Sequence, residues 1–247
     1  MHVFDVSFII TGLLIGSFTN VLIYRLPRGE SVVWPGSYCS TCQKRLRAMD
    51  LFPVLSFLYL KGRCRYCRAS ISPQYPLVEV LSGAGYWLVY RYYGLSLEAL
   101  AGCLLVTILL CAAFTDLQTG LIPDRLTYPA ILIGLALAWF TIGLKTALLG
   151  SLGFAVFFFA VAVASKGGMG GGDIKLAGAI GAFLGWQGAL VTFVLASVLG
   201  GLAAGCLLAC GKVDRKAAIR FGPYLALGAF MALIWGKQII AFYLGTL

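Results

Sequence analysis

Several long stretches of the chain carry hydrophobic residues at almost every position, so they have no polar face. Residues 131–140 and 152–164 are apolar on every side. A strand of a membrane β-barrel alternates apolar and polar residues over about ten positions, so this pattern excludes a barrel and predicts helices surrounded by lipid. Eight apolar runs are candidate crossings, at about 6–24, 75–93, 97–115, 122–142, 146–164, 174–187, 188–210 and 224–246. The sequence therefore predicts an all-α polytopic membrane protein with about eight transmembrane helices.

Composition agrees with residence in a membrane. Hydrophobic residues make up 60% of the 247 positions and charged residues 11%, whereas soluble domains carry roughly 25% charged residues. A soluble globule is therefore excluded. The one polar stretch, at about 25–74, is expected to form an extramembrane loop that is too small to bury a core unaided.

The distribution of basic residues predicts the orientation of the chain. The first apolar run has no Lys or Arg before it and no small-residue cleavage site after it, so we expect an uncleaved helix rather than a secretory signal. Placing the N-terminus outside puts 16 of the 19 Lys and Arg residues on the cytoplasmic side, as the positive-inside rule requires. Topology and anionic lipid then account for the net charge of +10, and no nucleic-acid partner is expected.

Four cysteines in the polar loop have the spacing of a metal site. Cys39 and Cys42 form one C-x2-C pair, and Cys64 and Cys67 form another. Four thiolates aimed at one point suit a tetrahedral structural zinc ion with no open coordination position. Two disulfides are the alternative, but a cytoplasmic loop lies in a reducing compartment. The remaining cysteines lie in predicted helices, where we expect buried, apolar side chains: Cys103, Cys111, Cys206 and Cys210.

Two aspartates at the ends of apolar runs are the candidate catalytic groups. His2 is the only histidine, so triads and dyads based on histidine have no base. Asp116 ends the third run, and Asp173 opens the sixth after the glycines at 167–172. By the predicted topology both lie at the cytoplasmic membrane boundary, where two neighbouring carboxyls can share a proton and hydrolyse a peptide bond. Alternatively, Asp173 caps a helix and Asp116 ends one in interfacial water.

Several motifs together resemble the type IV prepilin peptidases, the GxGD aspartyl proteases of family A24. Residues 168–176 read Gly-Met-Gly-Gly-Gly-Asp-Ile-Lys-Leu, which contains the GxGD signature. The resemblance extends in order over essentially the whole chain, through residues 16–27, the cysteine loop, 62–67, 75–79 and 221–228. One departure lies at 50–53, which reads Asp-Leu-Phe-Pro where the family commonly has Asp-Asn-Ile-Pro.

The resemblance implies a bifunctional enzyme of the bacterial inner membrane. Members cleave the basic leader from prepilins and pseudopilins on the cytoplasmic side, then methylate the new N-terminal amine with S-adenosylmethionine. It implies that Asp116 and Asp173 are the catalytic pair, and that the second acid of the first motif, Asp124, is not catalytic. We further expect Gly170, Gly172 and Lys175 to contact substrate.

The expected domain organisation has three parts: a first transmembrane helix at 1–24, a zinc loop associated with N-methylation at 25–74, and a transmembrane aspartyl peptidase at 75–247. Glu79 is the candidate residue for methyl transfer, and the alternative interpretation is a helix-entry carboxylate that interacts with nearby arginines. The alternatives are a peptidase without methylation, a small transporter, or a non-catalytic zinc-stabilised scaffold. The oligomeric state stays open.

Overall fold

The computed structural model describes residues 3–165, 169–211 and 220–245. His2, Lys166, the first two glycines of the cluster at 167–172 and most of the basic segment 212–220 lie outside the described residues. The regular secondary structure of the described residues is helical, with two isolated β-bridges in the loop and no strand. The helices are α1 Val3–Arg25, α2 Leu55–Tyr59, α3 Gln74–Tyr93, α4 Leu97–Thr119, α5 Asp124–Ala138, α6 Leu144–Ala164, α7 Gly171–Ala209 and α8 Gly222–Tyr243. Short 3-10 helices span Leu26–Arg28 and Ala48–Asp50.

The chain divides into two compact units, Met1–Leu95 and Ser96–Leu247. In the first unit, α1 packs along α3. A Cβ atom at Gly16 would lie 2.7 Å from the Cα of Glu79, so the two backbones approach as closely as small residues allow in membrane helices. The segment between these helices, residues 26–73, carries the cysteine loop.

In the second unit, α7 is the central helix and contacts α4, α5, α6 and α8. Its backbone is interrupted at Gly185, whose φ of 68° and ψ of −178° are not helical. A positive φ favours glycine because it has no Cβ. The interruption divides α7 into two helical segments and agrees with the predicted runs at 174–187 and 188–210.

The prediction of about eight crossings is confirmed only in part. Among the described residues, five helical stretches are long and apolar enough to span a bilayer: Val3–Arg28, Leu97–Thr119, Leu144–Ala164, Gly171–Ala209 and Gly222–Tyr243. α5 has 15 residues, fewer than the roughly 20 that a crossing needs, and the first segment of α7 is also short. α3 is long enough, but Glu79, Arg91 and several tyrosines lower its hydropathy.

The cysteines in the helices behave in two ways. Cys103 and Cys111 are buried in α4, as expected. Cys206 and Cys210 are exposed, so the prediction of burial is wrong for this pair. Both lie at the end of α7, where residues 201–211 are mostly exposed, so periodicity alone overestimates their burial.

Candidate active site and cysteine cluster

Asp116 is buried against the first residue of the last helix. It lies in the final turn of α4 and is only 7% exposed. The backbone N–H of Gly222, the first residue of α8, donates to Asp116 Oδ2 at 3.1 Å. The N-terminus of a helix carries a partial positive charge, which favours a carboxylate there. Burial disagrees with the alternative that Asp116 simply ends a helix in interfacial water.

Gly222 and Arg220 were not predicted as site residues. A Cβ atom at Gly222 would lie 2.7 Å from Asp116 Oδ2, so a glycine is needed for this approach. The Arg220 guanidinium donates to the carbonyl of Leu117 and acts electrostatically on Asp116. Only the stretch Phe-Gly-Pro at 221–223 pointed to this region, and it did so as part of the family resemblance, without indicating a contact with Asp116.

Asp173 lies in the first turn of α7 and is 9% exposed. Its backbone N–H donates to the carbonyl of Gly170, the residue at the N-cap, at 3.1 Å. Its Oδ1 atom is buried without a hydrogen-bond partner among the described residues. α4 contacts α7, and the carboxyls of Asp116 and Asp173 are close enough to repel each other. The structure therefore brings together the two acids that the sequence singled out.

The other residues predicted near Asp173 have identifiable local contacts. A Cβ atom at Gly172 would lie 2.9 Å from the Ile122 Cβ, so this glycine permits close packing. Lys175 Nζ lies 2.5 Å from Asp124 Oδ1 and 5.2 Å from the ring centre of Tyr128. Asp124 therefore forms an ion pair with Lys175.

The four loop cysteines form one cluster. Their sulfur atoms all lie within 4.8 Å of one another, and Cys39 Sγ is 3.8 Å from Cys67 Sγ. A tetrahedral ion with Zn–S bonds of about 2.3 Å would place its sulfurs about 3.8 Å apart, whereas a disulfide needs about 2.05 Å. The cluster is therefore compatible with a metal site.

The two C-x2-C pairs lie in two separate backbone turns of the same type. The N–H of the first cysteine donates to the carbonyl five residues later, at 3.0 Å for Cys39 and 2.8 Å for Cys64. The residue after each second cysteine, Gln43 or Arg68, has a left-handed φ of 57° or 62°. A hydrogen bond from the Cys42 backbone lowers the pKa of Cys39 to about 6. For Cys67, a hydrogen bond from the Ala69 backbone is outweighed by burial and hydrogen bonds within the cluster, which raise its pKa to about 11. Of these two cysteines, Cys39 is therefore the one that favours the thiolate form that binds metals. The two turns repeat at a spacing of 25 residues.

Glu79 has contacts that the sequence did not predict. It is 7% exposed, and its Oε2 accepts the Val54 backbone N–H at 2.7 Å. Ser17 also hydrogen-bonds to it. The described partners are thus a backbone amide and a hydroxyl, not the arginines of the alternative interpretation. Glu79 borders a cavity of about 380 Å³ in the first unit, together with Asn20 and Asp50, which sequence reasoning missed.

Asp50 joins two parts of the cysteine loop through its contacts with Arg65 and Tyr66. Arg65 Nε lies 2.6 Å from Asp50 Oδ1, and the Tyr66 hydroxyl donates to Oδ2 at 3.1 Å. Burial raises the pKa of Asp50, but hydrogen bonds from Arg65, the Arg47 backbone and Tyr66 outweigh it, so its pKa lies below the ordinary value. Asp50 opens the stretch 50–53 that departs from the family pattern.

An all-helical membrane protein with a buried aspartate pair and a tetracysteine loop has the features of a membrane-embedded aspartyl peptidase. Comparison with known proteins specifies the class. Residues 10–93 match the bacterial peptidase A24 N-terminal domain, and residues 103–205 match the type IV leader peptidase family. This chain belongs to the type IV leader peptidase family.

Curated relatives match almost the entire chain. A protein of Stutzerimonas stutzeri called prepilin leader peptidase/N-methyltransferase is 36% identical, over 96% of this chain and 92% of its own length. Proteins with the same name in Pseudomonas putida and Burkholderia pseudomallei are 36% and 35% identical, over 94% and 96% of this chain and 91% and 86% of their own lengths. No solved structure matches the chain.

Proposed function

We propose that this protein removes the leader from prepilins or pseudopilins and then methylates the new N-terminal amine. The relatives named prepilin leader peptidase/N-methyltransferase support both activities. The structural observation that carries the proposal is the juxtaposition of Asp116 and Asp173, two buried carboxyls within electrostatic reach of each other. A non-catalytic scaffold needs no such pair. A transporter is expected to hold its carboxylates near the bilayer midplane, whereas Asp116 lies in the last turn of α4 and Asp173 in the first turn of α7.

Cleavage follows from two carboxyls that hold one proton between them. The ionised member takes a proton from a water molecule, which attacks the scissile carbonyl carbon. The protonated member donates to the carbonyl oxygen and later protonates the leaving amine. Gly222 N–H fixes one oxygen of Asp116, and the unpartnered Oδ1 of Asp173 is available to bind the water or the substrate.

The proposed location is the inner membrane of a bacterial cell, with lipid around the apolar helices. The apolar runs support about eight crossings, and the distribution of Lys and Arg supports an external N-terminus and a cytoplasmic position for the cysteine loop and the aspartates. The substrate's hydrophobic segment would lie among the helices with its basic leader in the cytoplasm. Gly170, Gly172 and Lys175 are proposed to contact it.

The metal is proposed to be a structural zinc ion held by Cys39, Cys42, Cys64 and Cys67. Four protein thiolates fill a tetrahedral site, so the ion has no open position for chemistry. The methyl donor is proposed to be S-adenosylmethionine, which supplies an electrophilic methyl group. The functional division into a helix at 1–24, a methylation loop at 25–74 and a peptidase at 75–247 stays a prediction, with Glu79 assigned to methyl transfer.

The test of cleavage compares isosteric replacements of three acids. Asp116→Asn and Asp173→Asn should each abolish processing of a purified prepilin in detergent micelles, because either change removes the shared proton chemistry. Asp124→Asn is the matched control and should retain cleavage, since Asp124 pairs with Lys175 at a largely exposed position. Substantial processing by Asp116→Asn or Asp173→Asn would refute the assignment.

Mass spectrometry of the cleaved pilin tests methylation. With S-adenosylmethionine present, the new N-terminus should gain one methyl group, about 14 Da, and without it none. An unmethylated terminus under both conditions would refute methylation without affecting the proposal of leader cleavage.

A further inference from the structure

The cavity in the first unit has the size of a small-molecule site. Its volume of about 380 Å³ lies within the range of roughly 300 to 1,000 Å³ that is typical for ligands. α1 contributes Asn20 and Tyr24, α3 contributes Glu79, and the loop contributes Phe57 and Cys39. The walls therefore combine aromatic rings with a few buried polar groups.

One polar group in this cavity has no partner. Asn20 is 3% exposed, and its side-chain amide donates to the Tyr75 carbonyl at 3.0 Å and to the Gly16 carbonyl at 3.3 Å. Its Oδ1 atom is buried without a hydrogen bond within the described part of the chain. An unsatisfied buried acceptor costs about 1 to 3 kcal/mol. A ligand with an N–H donor would remove that cost.

Glu79, which lines the cavity, also holds a strained backbone turn at Val54, next to the lining residues Ser56 and Phe57. Val54 has φ 61° and ψ −48°, and the N–H of Leu55 donates to the Pro53 carbonyl at 2.5 Å. This is a classic γ-turn, which is rare and strained, and it is exceptional for a β-branched residue. Glu79 accepts the N–H of Val54 at 2.7 Å and so fixes the turn. Strain of this kind persists where the surroundings impose it and concentrates at ligand sites.

We propose that this cavity is the binding site for S-adenosylmethionine, an inference that rests on the methylation half of the proposed function. The Glu79 carboxylate balances positive charge of the donor, and the aromatic ring of Phe57 in the cavity wall attracts its sulfonium. Asn20 Oδ1 accepts from an amino group of the donor. Cys39 and Cys64 also line the cavity, so a metal in the cysteine cluster would fix the wall of the donor site.

The reaction at this site is a direct substitution. The neutral N-terminal amine of the cleaved pilin forms a bond to the methyl carbon as the carbon–sulfur bond breaks. The sulfur keeps the electron pair as a neutral thioether, and the surplus proton of the amine passes to water.

Direct binding to the full-length, zinc-loaded protein in lipid nanodiscs tests the site. Glu79→Gln keeps the shape and the acceptor for Val54 but removes the charge, and we expect the Kd for radiolabelled S-adenosylmethionine to rise at least about tenfold. Glu98→Gln, at an exposed acid at the start of α4, should bind as the wild type does. Bound zinc and the melting temperature report whether the loop stays folded. A Glu79→Gln protein with wild-type Kd would overturn the proposal.

A second measurement needs no variant. Ultraviolet cross-linking of the labelled donor to the wild type, followed by peptide mapping, should label residues within 17–79. A label confined to residues 97–245 would refute the proposed position of the donor site without refuting methylation itself. A wild-type protein that neither binds the donor nor methylates the pilin would instead refute the methylation half of the proposed function as well.

Discussion

Replacing Gly222 by alanine should slow prepilin cleavage, because the added methyl group displaces a catalytic carboxyl. The new Cβ would lie 2.7 Å from Asp116 Oδ2, 3.0 Å from Cγ and 3.1 Å from Cβ. Non-bonded carbon atoms are ordinarily about 3.5 to 4.0 Å apart. Rotation of the carboxyl cannot relieve the contact with its own Cβ, so the end of α4 and the start of α8 must separate by roughly 0.5 to 1 Å.

The size of the effect follows from that displacement. The hydrogen bond from the Gly222 N–H to Asp116 is 3.1 Å long and would be lost or weakened. A reacting group misplaced by about 1 Å can cost about 10²-fold in rate, which equals about 2.7 kcal/mol of transition-state stabilisation. We therefore expect kcat/KM for prepilin cleavage to fall about 10- to 100-fold. Overpacking should also lower the free energy of unfolding by about 1 to 3 kcal/mol.

The assay is the time course of prepilin cleavage in detergent micelles, followed by gel and mass spectrometry. Gly153→Ala is the matched control, because no atom lies within 4 Å of a Cβ added at this position of α6. It should cleave at the wild-type rate. A Gly222→Ala protein with wild-type kcat/KM and melting temperature would refute the placement of Gly222 against a reacting carboxyl.

Two further predictions concern the loop. Cys64→Ser should reduce bound zinc from about one ion per chain and abolish methylation, because three thiolates hold the ion poorly. Prepilin cleavage should persist. Full zinc occupancy of the variant by metal analysis would contradict the assignment of Cys64 as a ligand. Asp50→Asn should lower the melting temperature of the loop, with Glu30→Gln as the control. Because the pKa of Asp50 is lowered, its stabilisation is present above the unfolded-state pKa and lost as the pH falls through the folded-state pKa. The difference should therefore stay constant from about pH 6 to 8, and a difference that vanished within that window would contradict the ion pair.

The helices and the candidate acids were predictable because their signals are local. Uninterrupted apolar runs predict membrane helices, and a short sixth run anticipated the break at Gly185. Asp116 and Asp173 stood out because acids are scarce in apolar surroundings. The cysteine spacing likewise predicted a cluster, which the structure confirms.

The remaining features depend on contacts between distant residues. Gly222 meets Asp116 across 106 positions, and nothing near either residue in sequence indicates the pairing. Glu79 accepts a hydrogen bond from Val54 across 25 positions, a partner that neither interpretation of Glu79 from the sequence included. The number of crossings is confirmed only in part because an apolar run does not reveal where a helix ends: the run at 122–142 contains a helix of 15 residues, Asp124–Ala138.

The bond from Gly222 to Asp116 has a consequence for biosynthesis. Residues 103–205 match the leader peptidase family and contain both aspartates, but a ribosome that has reached residue 205 has not yet made α8. The carboxyl of Asp116 then lacks the N–H that fixes it. Cleavage should therefore become efficient only when α8 inserts, so a nascent chain in the membrane should process prepilin slowly until α8 has packed against α4.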